Sequence, residues 1–413
     1  MKNKLNIILI LGILPFAHGQ ATKNILFIGN SYTGNNNLAG MISTCATSAG
    51  DAITFDTHTP GGSTFSQHST NSVVEDKIAQ GNWDYVVLQE QSQRPAMPDA
   101  QVETQVYPHA AKLDSMIRHH NPCAETVFYM TWGRKNGDAS NCPTWPPVCT
   151  YSGMDSLLNL RYMTMAENND AIVSPVGAVW NYIRQNHPNI DLYTSDESHP
   201  SLAGSYAAAC CFYTVIFRKN PQLITWNSNL DAQTAFDIRE AVKVTVFVQM
   251  ENWFIGSYDP FAQFSINNEN APIFHFQNNS INATAYEWYI NGVFVSNDID
   301  LFYDFEEVSN NEVTLIASNC DVTSSASLNI SSSNLTPIHG LEKTTIIYPN
   351  PFYDIIQIDA HQEQQVSLMD MNGRLLQRFN LSAGLNFLDL SRYPAGFYLF
   401  EIDNMNNFSL IKN

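Results

Sequence analysis

One serine in this chain has the sequence setting of a catalytic nucleophile. Ser31 follows Gly29 and Asn30 at the end of an apolar run, residues 25–28, and a helix is predicted shortly after it. A strand, a glycine turn and a helix put the hydroxyl at the carboxyl end of a sheet, where unpaired backbone N–H groups favour a developing negative charge. The alternative is that Ser31 only caps the helix.

An acid and a base occur much later in the chain, just before another predicted helix. Asp196 and His199 are three residues apart, so one helical turn or a tight loop puts both side chains on one side. His199 could accept the proton of the Ser31 hydroxyl and pass it to a leaving alcohol, while Asp196 orients the imidazole and stabilises its charged form. These three residue types predict ester hydrolysis, provided that they meet in one cleft.

Ester hydrolysis also needs hydrogen-bond donors for the oxyanion, and the sequence offers several. The main-chain candidates are the N–H groups of Ser31 and Gly62, because glycines at 61 and 62 let the backbone approach a ligand closely. The side-chain candidate is the amide of Gln89 or of a neighbouring residue. One such donor typically lowers the barrier by roughly 3 kcal/mol.

Strand-like and helix-like runs alternate over residues 21–255. The predicted strands are 23–29, 52–59, 83–89 and 125–132, and the predicted helices are 36–50, 73–81, 100–120, 154–169 and 201–220. This alternation predicts an α/β fold in which helices cover both faces of a parallel sheet. In such sheets the functional site lies at the carboxyl ends of the strands, which is where Ser31, Gly62 and Gln89 occur.

The charge and the N-terminal segment limit the partners and the location of the protein. The chain has 20 Lys and Arg against 39 Asp and Glu, so a nucleic-acid partner is not predicted. Residues 1–19 are typical of a signal peptide, with Lys2 and Lys4 before an apolar run and small residues at its end. No later run is long and apolar enough to cross a bilayer, so we expect a soluble exported protein.

Seven cysteines in an exported chain favour disulfide bonds. Cys142 and Cys149 bracket a proline-rich loop, and we expect a bridge between them, whereas the other pairings stay open. His58 and His68 flank the glycine turn without a third ligand at metal spacing, so neither a metal nor a cofactor is predicted.

These residues together resemble the SGNH (GDSL-type) serine hydrolases, over about residues 22–255. The first family block, usually Gly-Asp-Ser, is similar to the segment 29–31, and the last block, Asp-x-x-His before a helix, is similar to the segment 196–199. The oxyanion glycine corresponds to Gly61 or Gly62, with Gly62 favoured. The resemblance implies a flavodoxin-like three-layer sandwich and a serine esterase whose catalytic residues are Ser31, Asp196 and His199.

The chain departs from the family pattern in two blocks. Asn30 replaces the usual aspartate, a side chain that transfers no proton. The third block, usually Gly-x-Asn-Asp, is absent, and the segment 87–95 stands in its place, so the asparagine that donates to the oxyanion is missing. Glutamine has the same amide on a longer stem, so Gln89 or Gln91 could substitute, with Gln89 favoured; an ungapped count favours Gln93 instead.

Two residues after the fourth predicted strand are candidates for substrate binding. The indole of Trp132 could stack on a sugar face, and the guanidinium of Arg134 could bind a carboxylate. The alternative is that this loop only packs against the segment 142–149.

Two carboxylates lie next to the predicted site residues. Glu90 and Glu197 could perturb the pKa values of the site, but we expect them to be solvated or paired with Arg94.

The helical pattern disappears near residue 256. Short runs of alternating apolar and polar residues predict a small β-sandwich over 256–331. Its segments 283–297 and 312–330 resemble a PKD or Ig-like module, in which Trp288 would be a core residue. The resemblance implies a spacer or a contact to glycan or to a partner.

A polar linker, 332–344, precedes a second small all-β unit at 345–413. This unit resembles the C-terminal sorting domain of type IX secretion in Bacteroidetes. The matching segments are 348–351, 370–374 with its Asn372-Gly373 hairpin signal, 394–398 and 411–412. The resemblance implies interaction with the type IX machinery and a secreted or cell-surface location across the outer membrane.

The sequence thus predicts an exported serine esterase that acts through an acyl-enzyme, with an O-acetyl group on a carbohydrate as the favoured substrate. The alternative is a non-catalytic surface protein that binds glycan through a degenerate hydrolase domain, and the unusual third block favours it. A phosphodiesterase is a poor third candidate, because the metal ligands that it requires are not apparent.

Overall fold

The computed structural model describes residues 22–267, 273–305, 311–330, 346–348, 355–360, 362–370, 374–394, 396–402 and 406–412. The predicted signal peptide, the linker 332–344, the segment 349–351 and the Asn372-Gly373 turn lie outside these residues. The chain divides into two compact units. The first contains the residues up to Gln263 with 280–286 and 316–325, and the second contains 264–279, 287–315 and the residues from 326 onward.

A five-stranded parallel sheet forms the centre of the first unit. Its strands are β1 Thr22–Ile28, β2 Ala52–His58, β3 Tyr85–Leu88, β4 Glu125–Tyr129 and β5 Ile172–Ser174. They lie in the order β2-β1-β3-β4-β5, and every neighbouring pair is parallel. This is the flavodoxin-like order, so the predicted fold class is confirmed.

Helices cover both faces of this sheet. They are α1 Ser31–Gly34, α2 Leu38–Ser48, α3 Phe65–His68, α4 Ser72–Ile78, α5 Asp99–Gln105, α6 Tyr107–His120, α7 Tyr151–Asn168, α8 Val176–Asn186, α9 Leu202–Phe217 and α10 Ala232–Thr245. Successive residues of β1 point to opposite faces, so Ile25 and Phe27 pack with α2, α8, α9 and α10, whereas Leu26 and Ile28 pack with α4, α6 and α7. The result is two hydrophobic cores that hold the strand ends in place.

Two helical predictions need correction. The single helix predicted over 100–120 is two helices, α5 and α6, because Pro108 in the first turn of α6 has no N–H for the carbonyl four residues earlier. Helix α10 was not predicted, although Asp231 caps it by accepting a hydrogen bond from the Thr234 N–H. Arg239 is buried on the core-facing side of α10, so a charged residue interrupts the apolar pattern there.

The strands that follow the first domain are short and largely antiparallel. They are β6 Phe264–Asn267, β7 Ile273–Asn278, β8 Ala285–Ile290, β9 Val293–Ser296, β10 Leu301–Asp304, β11 Asn311–Asn319 and β12 Val322–Ile330. They form two sheets, β10-β7-β6 and β12-β11-β8-β9. Trp288 is fully buried and donates its indole N–H to the carbonyl of Asp298, so its predicted core position is confirmed.

The C-terminal residues form two further antiparallel sheets. Their strands are β13 Ile346–Tyr348, β14 Ile355–Ala360, β15 Gln364–Asp370, β16 Leu375–Leu381, β17 Gly384–Asp389, β18 Gly396–Ile402 and β19 Asn406–Lys412. The predicted hairpin is supported by the antiparallel pairing of β15 with β16, which flank the turn. Lys412 is buried and donates to the carbonyls of Leu390, Ser391 and Tyr393.

Two disulfides cross-link the described part of the chain. The expected Cys142–Cys149 bridge is confirmed, and Cys123 pairs with Cys320, 197 residues away. The remaining thiols, Cys45, Cys210 and Cys211, are buried. Among the described residues no helix combines the length and the apolar character that crossing a membrane requires.

Candidate active site

Ser31 lies where the sequence predicts it, directly after β1. Gly29 must be a glycine here, because a Cβ would lie 2.5 Å from Thr33 Oγ1 and 2.7 Å from Gln89 Oε1. Asn30 caps the short helix that begins at Ser31, since its side-chain oxygen accepts a hydrogen bond from the Tyr32 N–H. The capping role therefore belongs to Asn30, and the Ser31 hydroxyl is left for another partner.

That partner is His199. Ser31 Oγ and His199 Nε2 are 2.8 Å apart, and His199 Nδ1 is 2.5 Å from Asp196 Oδ2. The structure therefore brings together three residues that are up to 168 positions apart in the chain. With the Nδ1 proton held by the carboxylate, Nε2 is free to accept the serine proton.

The loop that carries Asp196 and His199 is closed by its own hydrogen bonds. The Thr194 N–H donates to the His199 carbonyl at 2.9 Å. The other carboxylate oxygen of Asp196, Oδ1, accepts from Thr194 Oγ1 at 2.8 Å and from the backbone N–H groups of Ser198 and His199 at 2.9 Å each. These bonds fix the carboxylate in the orientation that faces the imidazole.

The same bonds keep Asp196 ionised. Burial alone raises the pKa of the Asp196 carboxyl, but the hydrogen bonds from the His199 ring, the two backbone N–H groups and Thr194 outweigh it and lower the pKa well below its usual range. The site thus has a negative charge directly beside the His199 imidazole.

A stack of aromatic rings lies beneath the catalytic loop. Tyr32 stacks on Trp132 at 4.9 Å, and Trp132 stacks on Trp180 at 3.7 Å. The Tyr32 hydroxyl and Ser198 Oγ are 2.6 Å apart, and the Trp132 indole N–H donates to the Ser198 carbonyl at 3.1 Å. The stack connects the residue after the nucleophile to the residue before the base.

Trp132 therefore does not fit the role expected from the sequence. Its side chain is fully buried between Tyr32 and Trp180, so no face of the indole is open for a sugar. Arg134 is partly exposed and pairs with the buried carboxylate of Asp138 at 3.4 Å. Arg134 thus remains a candidate for substrate contact, whereas Trp132 supports the site from below.

Two main-chain donors remain for an oxyanion. Among the described residues, neither the Ser31 N–H nor the Gly62 N–H has an acceptor. Gly62 adopts a left-handed backbone with φ of 71°, and a Cβ on Gly61 or Gly62 would meet no atom within 4 Å. The loop is therefore open to a ligand on this side.

The glutamines that follow β3 make hydrogen bonds within the protein. Gln89 is fully buried: its Oε1 accepts from the Asn30 N–H and from Thr33 Oγ1, each at 2.9 Å, and its amide N–H donates to the Glu90 carbonyl. Gln91 Oε1 accepts from the Gln93 N–H at 2.9 Å. Gln89 thus holds the nucleophile turn from beneath.

The side chains of Gln93 and Glu197 also make hydrogen bonds within the protein. Gln93 Nε2 donates to Asp138 Oδ2 at 2.7 Å. The Glu197 carboxylate accepts from Asn136 Nδ2 at 2.9 Å, and its carbonyl accepts from the Lys135 N–H. Both residues connect the loop after β4 to neighbouring segments.

Glu90 differs most from its sequence prediction. It was expected to be solvated or paired with Arg94, but its side chain is fully buried. Its carboxylate accepts from the Phe65 N–H at 3.0 Å and from the Gln91 N–H at 2.6 Å. Burial raises the pKa of Glu90 to about 7, against the lowering effect of these two bonds and of the Arg94 charge.

Two positioning residues were not identified from the sequence. Asn36 Nδ2 donates to the carbonyls of Pro200 and Ser201 at 3.1 Å and to Ser205 Oγ at 2.9 Å, so it connects the nucleophile segment to the histidine segment. His68 Nε2 donates to the Gly29 carbonyl at 2.9 Å, and burial lowers the pKa of this imidazole to about 4. Asn36 lies in a run of three asparagines, which was the available signal, but no local pattern names the distant acceptors.

Comparison with protein families adds one match. Residues 346–413 match the secretion system C-terminal sorting domain family. The chain therefore carries a type IX sorting domain and is exported, to the cell surface or to the medium. No curated protein matches the chain.

Several solved structures are similar to this chain in fold. A DUF4886 family protein from Bacteroides uniformis is 16% identical, with 55% of this chain and 95% of that chain covered and a TM-score of 0.46. A protein from Slackia heliotrinireducens described as an SGNH hydrolase is 25% identical, with 46% and 97% covered and a TM-score of 0.39. Phospholipase A1 from Streptomyces albidoflavus is 17% identical, with 48% and 100% covered and a TM-score of 0.34.

The class of protein follows from the chain's own features. It is an exported protein with a flavodoxin-like α/β domain, in which a serine, a histidine and an aspartate meet at the carboxyl end of the sheet, followed by all-β segments and a type IX sorting domain.

Proposed function

We propose that this protein is a secreted serine esterase that works through an acyl-enzyme. The observation that carries the proposal is the pair of contacts at His199, 2.8 Å to Ser31 Oγ and 2.5 Å to Asp196 Oδ2. A nucleophile, a base and an orienting acid in hydrogen-bond contact are the arrangement that acyl transfer from an ester requires.

In the proposed reaction Ser31 Oγ attacks the ester carbonyl while His199 Nε2 accepts its proton. The C–O double bond becomes an oxyanion, which the Ser31 and Gly62 N–H groups stabilise. When this intermediate collapses, the bond to the alcohol breaks and the imidazolium returns the proton to the alcohol oxygen. Water then attacks the acyl-enzyme with the same base, releasing the acid and restoring Ser31.

We propose the substrate to be a small acyl group on a large alcohol, with an O-acetylated carbohydrate favoured. The partial exposure of the His199 and Asp196 side chains, 32% and 49%, supports this, because the bulk of the alcohol can stay outside the protein. Arg134 is the proposed contact for an acidic substituent. Gln91 is kept as a proposed third oxyanion donor, since a small rotation frees its amide from Gln93.

The domain boundaries predicted from the sequence are part of this proposal. They are 20–255 for the esterase, 256–331 for a PKD or Ig-like module and 345–413 for the sorting domain.

Hydrolysis of p-nitrophenyl acetate tests the activity. We expect Ser31→Ala and His199→Ala to reduce kcat/KM by roughly 10³-fold or more, because the acyl-enzyme route is lost. Ser115→Ala, which removes an exposed hydroxyl on α6, is the matched control and should retain the wild-type rate. Equal rates in all four proteins would instead support a glycan-binding protein with a degenerate hydrolase domain.

A panel of acetylated polysaccharides, assayed for released acetate, tests the substrate class. We expect release by the wild type and none above background by Ser31→Ala. Activity on p-nitrophenyl acetate without release from any polysaccharide would contradict the carbohydrate part of the proposal and leave the esterase part standing.

A further inference from the structure

The buried carboxylate of Glu90 lies between the two segments that provide the proposed oxyanion site. It directly follows Gln89, whose side chain accepts from the Asn30 N–H beneath the nucleophile. Its own carboxylate accepts from the N–H of Phe65, the first residue of α3, at 3.0 and 3.1 Å to its two oxygens. One dipeptide at the end of β3 thus holds the Ser31 turn on one side and the Gly61–Thr64 loop on the other.

Hydrogen bonds at both ends of the Gly61–Thr64 loop connect it to the rest of the site. At one end Ser63 O accepts from Asn30 Nδ2 at 3.0 Å. At the other end Thr64 caps α3 in a reciprocal pair with Gln67, and the next N–H, that of Phe65, is the one that Glu90 binds. The position of the Gly62 N–H relative to Ser31 therefore depends on two hydrogen bonds, the one from Asn30 to Ser63 O and the one from the Phe65 N–H to Glu90.

We propose that Glu90 is a positioning residue that holds the oxyanion loop against the nucleophile turn, and that protonation of its carboxylate releases this hold. The inference rests on the proposed esterase function. Oε1 of the ionised carboxylate accepts from both the Gln91 and the Phe65 N–H, and Oε2 accepts from the Phe65 N–H at 3.1 Å. A proton on Oε2 turns that oxygen into a donor and leaves Oε1 as a neutral carbonyl, which is a weaker acceptor than a carboxylate oxygen. Proton uptake therefore weakens at least one of the two bonds and loosens the loop.

The charged and titratable residues around Glu90 keep a constant charge near pH 7, so Glu90 is the group here that titrates in this range. Arg94, in the segment after β3, is the cation that acts on the carboxylate. Tyr162 on α7, whose hydroxyl accepts from the Glu90 N–H, has its pKa raised by burial and stays protonated. His68 on α3 has its pKa lowered by burial to about 4 and stays neutral near pH 7. Glu90, with its pKa raised to about 7, is the group among these that changes charge near neutrality.

The acid side of the pH profile of kcat/KM measures this role. Glu90→Gln cannot titrate, so its kcat/KM serves as the reference for the wild type at each pH. It should lower kcat/KM at pH 8 by about 10-fold, with KM little changed, because the loop is held less firmly. This difference from the wild type should shrink to less than about 2-fold at pH 5.5, where the wild-type Glu90 carboxylate is protonated as well.

Glu125→Gln is the matched control. Glu125 also has its pKa raised to about 7 by burial, but it is the first residue of β4, at the amino end of the sheet. We expect the ratio of its kcat/KM to that of the wild type to be the same at pH 8 and at pH 5.5. A ratio of wild type to Glu90→Gln that does not change between these two pH values would overturn the role of Glu90. If the variant fails to fold, the pH dependence of the Gly62 amide signal in protein with Glu90 intact decides the question.

A second measurement does not depend on turnover. In ¹⁵N-glycine-labelled protein with His199→Ala, the Gly62 amide signal, assigned by its loss in Gly62→Ala, should shift with a midpoint near pH 7. Adding Glu90→Gln should abolish that shift, and adding Glu125→Gln should not. A Gly62 signal without this titration overturns the positioning role, whereas equal esterase rates in wild type and Ser31→Ala overturn the proposed function alone.

Discussion

At the residue scale, the Ser31 hydroxyl depends on neighbours that take no part in bond making. His68 holds the Gly29 carbonyl, Gln89 holds the Asn30 N–H, and Asn30 both caps α1 and donates to Ser63 O. An aspartate at position 30 could cap the helix but could not donate to Ser63 O. The departure from the family's Gly-Asp-Ser block thus has a physical reason, since the amide adds a bond to the oxyanion loop.

The proposed oxyanion role of Gly62 gives a prediction at this scale. Gly62→Ala places a Cβ on a left-handed backbone, which costs roughly 1–2 kcal/mol and turns the N–H away. We expect kcat to fall about 10- to 100-fold with KM nearly unchanged, measured with p-nitrophenyl acetate.

Gly61→Ala is the control for Gly62→Ala. Gly61 has no left-handed backbone, and an added Cβ there meets no atom within 4 Å, as at Gly62. Wild-type kcat is expected for this variant. Similar kcat values for both alanine variants would contradict a specific role for the Gly62 N–H.

At the scale of elements, the site is assembled from segments that connect them. Ser31 begins the short helix after β1, the Gly62 loop follows β2, Gln89 and Glu90 follow β3, and Trp132 follows β4. Because the strands are parallel and adjacent, these segments all emerge at one edge of the sheet. His199 lies before α9 and reaches this edge through a separate loop.

The hydrogen bonds of Asn36, which the sequence did not predict, connect two of these segments and can be tested by mutation. Asn36→Gly keeps the left-handed backbone, φ of 54°, accessible but removes the hydrogen bonds to residues 200, 201 and 205. We expect kcat/KM to fall about 10-fold, because the histidine loop is no longer held against the nucleophile segment.

Asn37→Gly is the matched variant for Asn36→Gly. Asn37 also has a left-handed backbone, φ of 52°, but its side chain makes no capping hydrogen bond. The kcat/KM of the Asn37→Gly variant should stay close to that of the wild type. An equal loss in both variants would mean that backbone flexibility, and not the Asn36 amide, causes the effect.

At the scale of the whole molecule, export and covalent cross-linking are consistent with each other. The sorting domain match places the chain outside the cytoplasm, and two disulfides persist only under oxidising conditions. Cys123–Cys320 closes a far longer loop than Cys142–Cys149, so it constrains the unfolded chain more.

The two bridges should therefore differ in their contribution to stability. Cys123→Ser with Cys320→Ser should lower the free energy of unfolding by about 4–5 kcal/mol, and Cys142→Ser with Cys149→Ser by about 2 kcal/mol. Thermal unfolding of the two double variants under the same buffer measures the difference. A larger loss from the Cys142 and Cys149 variant would contradict the loop-length argument.

The sequence by itself determined most elements of the α/β domain and the three residues that meet at the candidate site. Alternating apolar runs identified four strands of the parallel sheet, and the segments 29–31 and 196–199 identified the residues that meet, because such patterns depend on local periodicity and short-range spacing. The sorting domain at 346–413 could also be predicted from the sequence, since its turn and hairpin signals are local.

Only the tertiary structure decided which polar groups are buried and what they bind. Glu90, Gln89 and Trp132 occur in segments that read as strand-end loops, where a carboxylate, an amide and an indole are equally compatible with solvent or with core. Their burial and their partners depend on segments dozens of residues away, which no local pattern specifies. The Cys123–Cys320 disulfide is a further example, since it joins positions 197 residues apart, whereas the helix break at Pro108 has a local cause that the predicted single helix over 100–120 overlooked.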